Sequence, residues 1–306
     1  MRVRPRIALF AVFMLYMCSV QGVQTFFLAE NGGTSSCTEE NPCGSLLDVI
    51  PLIGNFEPYE VLINVNPGFY NESYTSVEFP ASLHSVSIQK NPEGSSDSVT
   101  FFGMQSDITV PSSITLQDIT FQEYNHLLTV TAPNDQTEVK LTRVTCIDVG
   151  IMFSNIDGAH VYLENCISST TEDPQGQQNV RGLFTDEEAS PTSFSIVGGT
   201  FSNLYYGNYI LSLVDSTVEI RDSTFTRCGR IYSRGTGFFS NTLFISPEGF
   251  RMSGAYTNAK SALLLAGTWM MDDISMGGGD YTYFDYLIAS VGHPLYITIT
   301  NSTPGL

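Results

Sequence analysis

The residues with the most chemical potential lie in the last third of the chain. Asp272 and Asp273 are adjacent, Asp280 and Asp285 follow, and Gly277-Gly278-Gly279 lies between the two groups. Carboxylate oxygens grouped in this way suit a hard cation such as Ca²⁺. Asp272, Asp273 and Asp280 are therefore candidate metal ligands, and Ca²⁺ is the one cofactor the sequence suggests. The other reading of these carboxylates is a solvated loop. Arg221, Arg227, Arg230 and Arg234 are the one basic cluster. They could pair with the carboxylates of an acidic sugar, or they could be charged rungs of a sheet. Tyr281, Tyr283, Phe284 and Tyr286, like Tyr205, Tyr206 and Tyr209, offer flat faces on which sugar rings could stack. They could equally cover loops. Arg221, Arg227, Arg230, Tyr281, Tyr283 and Tyr286 are the candidate ligand-binding residues.

No convergent catalytic set accompanies them. His84, His126, His160 and His293 lie far apart and show no metal spacing. The serines have no nucleophile-elbow context. No residue is assigned a catalytic role at this point.

The ends and the composition define the setting. Arg2, Arg4 and Arg6 precede an apolar run from Ile7 to Val20 that is short for a membrane span. Basic start, apolar centre and small residues fit a secretory signal peptide cleaved after Gly22. Residues 1–22 are then the signal, and the mature chain is expected to be secreted or at the cell surface, with no span of its own. The chain has 13 Lys+Arg and 31 Asp+Glu; without the three signal arginines the balance is 10 against 31, a net of −21. Such a surface repels phosphate backbones and argues against a nucleic-acid partner. Charged residues are 14% and hydrophobic residues 42%, enough apolar surface to offset chain entropy.

Of the six cysteines, Cys18 leaves with the signal, and Cys37 and Cys43 sit in a Gly/Ser/Pro-rich loop. An oxidising compartment would close that loop with a disulfide. Asn71-Glu72-Ser73 and Asn301-Ser302-Thr303 are N-glycosylation sequons.

The elements that must position these residues emerge from an internal repeat. An octet recurs: apolar, any, apolar, any, any, small or apolar, Thr, aromatic. Its copies begin at Ile114, Val139, Val161, Phe194, Val218 and Ala262, separated by 25, 22, 33, 24 and 44 residues. Repeats of this size with variable insertions suit a solenoid in which each turn is one coil. Alternation sends the first and third positions inward. It sends Phe121, Phe201, Phe225 and Trp269 inward at the eighth position, and Thr120, Thr200, Thr224 and Thr268 outward. At the fifth position Asp118 should stack on Arg143, and Arg143 on Asn165. The same register stacks Cys146 on Ser168, which keeps Cys146 and Cys166 apart. Ser45–Ile53 reads as a short helix capping the first coil, and Glu60–Asn71 as a strand, a Pro-Gly turn and an aromatic exit.

The run from Phe26 to Tyr70, with Cys37, Pro42-Cys43-Gly44-Ser45-Leu46, a short helix and Ile63-x-Val65-x-Pro67-Gly68-x-Tyr70, resembles the pectin-lyase-like superfamily. The Thr-Phe octets resemble the turns of that fold. They are also similar to polymorphic outer-membrane-protein repeats, although Phe238-Phe-Ser-Asn241 is present and Gly-Gly-Ala-Ile is not. The resemblance implies an all-β fold, a right-handed parallel β-helix with a short N-terminal capping helix: residues 23–60 the cap and 61–306 the helix. Enzymes of that superfamily of the polygalacturonase type carry Asn-Thr-Asp, Asp-Asp and Gly-His-Gly. Here Asn241-Thr-Leu, Asp272-Asp273 and Gly292-His293-Pro depart from that pattern at the first and third motifs.

Two functions stay open. The first is a non-enzymatic, adhesin-like binding or structural module that takes a glycan or protein on the solenoid surface. The second is a polysaccharide lyase or hydrolase acting on acidic glycans. Three or more polar groups converging on one groove would favour the second.

Overall fold

The computed structural model describes residues 22–34, 36–53, 60–104, 106–171, 183–185, 189–204, 209–245, 261–277 and 286–301. Within them the chain winds as a parallel β-helix of three faces. The first face stacks strands Gln24–Gly33, Glu60–Val65, Ser85–Lys90, Ser113–Gln117, Glu138–Thr142, His160–Glu164 and Ser193–Val197, all parallel. The second face stacks Gly68–Asn71, Val99–Phe102, Thr120–Gln122, Thr145–Ile147, Ile167–Ser169 and Thr200–Ser202. The third is a separate sheet of Ser76–Glu78, Asp107–Val110, His126–Val130, Ile151–Ser154 and Leu183–Thr185. Beyond residue 209 the faces run together in four long strands: Tyr209–Thr226, Arg230–Ile245, Ser261–Gly277 and Tyr286–Thr300. Parallel strands joined by crossovers take the right hand.

Alternation decides what is inside. One inward column of the first face runs Ile63, Ile88, Leu116, Leu141, Leu163, Ile196, Ile220, Phe239, and each is buried. On the second face the inward column is Tyr70, Phe101, Phe121, Cys146, Ser168, Phe201, Phe225, Phe244. Its rings stack at 5.0 Å (Tyr70–Phe101), 5.6 Å (Phe101–Phe121), 5.0 Å (Phe201–Phe225) and 5.2 Å (Phe225–Phe244). The stack is broken where Cys146 lies on Ser168, as the octet register requires. Cys146, Cys166 and Cys228 are buried free thiols, and Cys37 is bonded to Cys43.

The corner between the first two faces has its own rule. Asp118, Arg143, Asn165, Asp222, Asn241 and Asp273, with Gly198, all have φ between 42° and 68°. This is the left-handed region, which Asn, Asp and Gly enter most readily. The bend does not interrupt the ladder: Asp118, Arg143, Asn165 and Gly198 each donate their N–H to a carbonyl one coil on. At Gly198 the missing side chain leaves room for the Asn165 amide of the preceding coil, whose Oδ1 lies 2.3 Å from where a Cβ would be.

The last octet is corrected by the stacking. Trp269 is buried and Thr268 exposed, as expected, but Trp269 does not lie over Phe225. Its register partner is Gly237, which pairs with Val218, so Trp269 opens the first-face rung where the repeat had it close the second. The reason is volume: a Cβ on Gly237 would meet the Trp269 ring at 2.4 Å, so the indole fills the place left by the missing side chain. The turn passed over by the repeat count is Gly237–Phe244.

The first coil is closed by the helix Leu46–Val49, followed by the 3₁₀ turn Ile50–Leu52. Ser45 caps it, its side chain accepting the Asp48 N–H, and Leu46 and Val49 are buried. Gln24–Leu28 already pairs with Val61–Val65, so the segment expected as cap also supplies the first rung. Glu72 ties the cap to the solenoid. It is 2% exposed and accepts the Leu46 N–H at 2.7 Å. Burial raises its carboxyl above the ordinary range, the Leu46 bond opposes that, and nearby Asp48 adds to it.

Two stability outcomes follow from this packing. Phe225→Ala is expected to cost about 3–5 kcal/mol, whereas Thr224→Ser, on the outer column beside it, should cost well under half of that; denaturant melts of both variants compare them. Because the Glu72 value is raised on folding, the stability it contributes is present at low pH and lost as pH rises through that raised value. Glu72→Gln keeps an acceptor for Leu46 without titrating. Its melting temperature should therefore fall less than that of the parent between acid and neutral pH.

Candidate functional site

A groove of about 640 Å³ lies along the first corner, across the coils that contain residues 89, 117 and 143. One wall is the connection from Asn91 to Ser98, and its floor is formed by Val99, Ile119 and Thr120. Gln89, Lys90, Gln117, Asp118 and Arg143 line the other side. Gln89 and Gln117 occupy the fourth position of successive rungs, stacked on Asn64, and Asp118 and Arg143 are corner residues one coil apart. A ladder that keeps one register from coil to coil thus sets polar side chains in a row at strand spacing.

The row is tied together by hydrogen bonds. Gln89 Nε2 donates to Asn64 Oδ1 at 3.0 Å, Asn91 Nδ2 to Asn66 Oδ1 at 2.8 Å, and Gln117 Nε2 to Asp118 Oδ2 at 3.1 Å. Arg143 grips Asp118 with two bonds, Nε to Oδ1 at 2.6 Å and Nη2 to Oδ2 at 2.7 Å. This is the stacked pair expected from the fifth position. The Arg143 hydrogen bond holds the Asp118 carboxyl below the ordinary range against some burial, with Gln117 and the charges of Arg143 and Lys90 helping. Asp118 is therefore ionised at neutral pH and has no proton to give. Lys90, Arg143 and Asp118 are the charged lining residues, and the wall adds Glu93 and Asp97, the latter accepting from groove-lining Ser95 at 2.8 Å, so charges of both signs flank the groove.

The other candidate residues are dispersed. Arg221 lies on the first face, its Nε 2.7 Å from Glu219 Oε1; Arg227 turns the second corner at φ 52°; Arg230 opens a strand on the third face and is buried. They do not converge, because sequence neighbours travel round the perimeter of a coil. Asp272 accepts from Thr300 Oγ1 at 2.8 Å and from Asn301 Nδ2 at 3.0 Å, and Asp273 is a corner residue. Both have places in the stacking. Tyr281, Tyr283 and Asp280 lie outside the described residues, as do Tyr205, Tyr206, Phe284 and Asp285, and Tyr286 begins the last strand. Among the described residues no three His, Cys, Asp or Glu side chains gather at metal-binding distance. His126 contacts Asp107 at 3.1 Å and His160 contacts Ser193 at 2.8 Å, on two different faces.

Lys90, Gln89, Gln117 and the wall 91–98 were missed by sequence reasoning. The available signal was the polar insertion Asn91-Pro-Glu-Gly-Ser-Ser-Asp-Ser98 between two strands, directly before the coil that carries Asp118. Residues 1–21 of the expected signal peptide 1–22 lie outside the described residues. No helix among those described is long and apolar enough to cross a membrane.

No protein-family model matches the chain, and no curated protein matches it. A solved structure described as a rhamnogalacturonan lyase aligns with 92% of this chain and 87% of its own at 10% identity and a TM-score of 0.49.

The Asp118–Arg143 pair can be checked directly. Its depressed value means that the pair contributes above the ordinary carboxylate range and is lost as pH falls through the lowered value. With the Asp118 side chain 33% and the Arg143 side chain 51% exposed, the contribution is that of a surface pair, below about 1 kcal/mol. A carbon-detected NMR titration should find the Asp118 midpoint of the parent below the ordinary carboxylate range. In Arg143→Gln its midpoint should move back towards the ordinary range.

Proposed function

We propose that the protein is an extracellular binding module whose first-corner groove takes an extended polar polymer, a glycan, in a non-enzymatic, adhesin-like role. The observation that carries this reading is the row Gln89, Lys90, Gln117, Asp118, Arg143, in which amides and charges repeat at coil spacing along an open groove. A polymer with hydroxyl groups at regular intervals can exchange hydrogen bonds with such a row without a deep pocket. Lys90 and Arg143 supply donors for sugar hydroxyl or carboxylate oxygens, and Asp118 and the wall carboxylates Glu93 and Asp97 supply acceptors for sugar hydroxyls. The groove does bring more than three polar groups together, which keeps an enzyme in view. The carboxylate beside both cations, Asp118, is held ionised and bonded through both oxygens to Arg143, which suits holding a ligand better than giving a proton to it.

A second reading, a polysaccharide lyase acting on acidic glycans, draws on Lys90 and Arg143 lining the same groove. Both cations could face a uronate carboxylate, and the Ca²⁺ arm of the experiment below tests whether a cation takes part.

The two readings separate in one experiment. The exported protein is titrated with a panel of neutral and uronate oligosaccharides, with and without Ca²⁺, while ultraviolet absorbance follows unsaturated uronate. The binding module gives saturable binding without an absorbance rise. Lys90→Ala and Arg143→Lys should each weaken it by about tenfold, the loss of one charge-assisted contact. Binding that ignores both substitutions would sink the groove assignment, and a steady absorbance rise would make the protein a lyase.

A further inference from the structure

The outer side of the second face carries an apolar patch that the core does not explain. Phe69 is 49% exposed although it lies inside a strand, and its ring centroid is 5.8 Å from that of half-buried Phe102 on the next coil. Asn71 adjoins both rings. It follows Phe69 by two residues, so the two side chains share the outer face, and its register partner across the ladder is Phe102. Asn71 is exposed, and its Oδ1 accepts the Ser73 N–H at 3.1 Å, which turns the amide nitrogen away from the backbone. Ser73 supplies the third residue of the sequon.

We infer that Asn71 is N-glycosylated and that Phe69 and Phe102 form the platform on which the first sugar of that glycan lies. The inference rests on the export of the chain, not on the groove. In the transfer, Asn71 Nδ2 bonds to the anomeric carbon of an oligosaccharide carried on a lipid diphosphate. The bond from that carbon to phosphate oxygen breaks, the lipid diphosphate leaves with the electron pair, and the amide gives up one proton to solvent or to the transferase. The sugar attached to Asn71 then starts within reach of both rings. The axial C–H groups of a pyranose carry partial positive charge and settle on the negative face of an aromatic ring. Covering Phe69 and Phe102 also removes apolar area from water. The sequon at Asn301 lacks this setting, since its Nδ2 donates to Asp272 and the residue two before it is Ile299.

The test uses the full chain made in a glycosylating secretory host, with glycopeptides mapped by mass spectrometry. Asn71 should be occupied. Thermal melts then compare the parent, Phe69→Ala, Ser73→Ala and the double variant; Ser73→Ala removes the sequon and keeps Asn71. The glycan should raise the melting temperature by about 2–4 °C when Phe69 is present and by nothing measurable when it is absent. Trimming to a single sugar should keep the gain. A bare Asn71 on exported protein overturns the inference, and so does a Phe69→Ala shift of equal size with and without the sequon. A chain that carries no glycan because it is never exported overturns both the inference and the export reading.

Discussion

From Asp118 onward, the described coils of this protein bend at the same residue. A strand that alternates in and out can continue on the next face with its apolar side still inward only if the corner residue takes up the turn without spending an inward position. The left-handed conformation does this, at about 1–2 kcal/mol for a residue with a side chain. The chain repeats it at Asp118, Arg143, Asn165, Gly198, Asp222, Asn241 and Asp273. The cost is offset because the corner N–H groups still find carbonyls on the next coil, and because stacked polar side chains bond to one another, as Arg143 does to Asp118 and Asn241 to Asp222 at 2.7 Å. The groove is a consequence: a corner that must be polar and in register, beside one connection long enough to form a wall.

Much of this was legible because it is local. Alternation over eight residues assigns inward and outward sides, and a fifth position that is Asp, Arg, Asn, Gly and Asp in turn marks the bend. The partnership of Asp118 with Arg143 and the separation of Cys146 from Cys166 follow from aligning two copies. The short spacing of Cys37 and Cys43 in a turn-rich loop gave the disulfide. Where the reading failed, the deciding contact was distant. Ala262–Trp269 fits the octet letter by letter, yet Trp269 is placed by the vacancy over Gly237, a residue 32 positions earlier. Glu72 looked like the middle of a sequon, and only the helix start at Leu46 gives it a partner. The groove wall 91–98 does not repeat, so a search for periodicity passes over it.

The aromatic column of the second face stops at Cys146 and Ser168, and this gap has chemical content. Two small side chains lie where rings lie above and below, and Cys166 is close enough for its charge to disfavour a thiolate at Cys146. Burial pushes the Cys146 thiol well above its ordinary value, that of Cys166 up to about 11 and that of Cys228 up to about 12. A thiol held protonated is a poor nucleophile and a poor partner for disulfide exchange. Free cysteines in an oxidising compartment are therefore compatible with this core, while the reactive pair is settled at the cap between Cys37 and Cys43.

Coil lengths measured along the first-face column, from Val61 through Val86, Ile114, Val139, Val161, Phe194, Val218, Gly237, Trp269 and Ile297, run from 19 to 33 residues. Each adds one rung of about 4.8 Å whatever its length. Tension applied along the stack would load the ladder bonds one coil at a time, as in opening a zip. Each yielding event would release about 60–120 Å of extended chain, at roughly 3.4 Å per residue. Coils of unequal length would yield in unequal steps, so a pulling trace would carry the order of the coils as a series of distinct lengths. A surface protein built in this way would lengthen under shear by shedding rungs, with the disulfide-closed cap and the Glu72 bond at one end of the series.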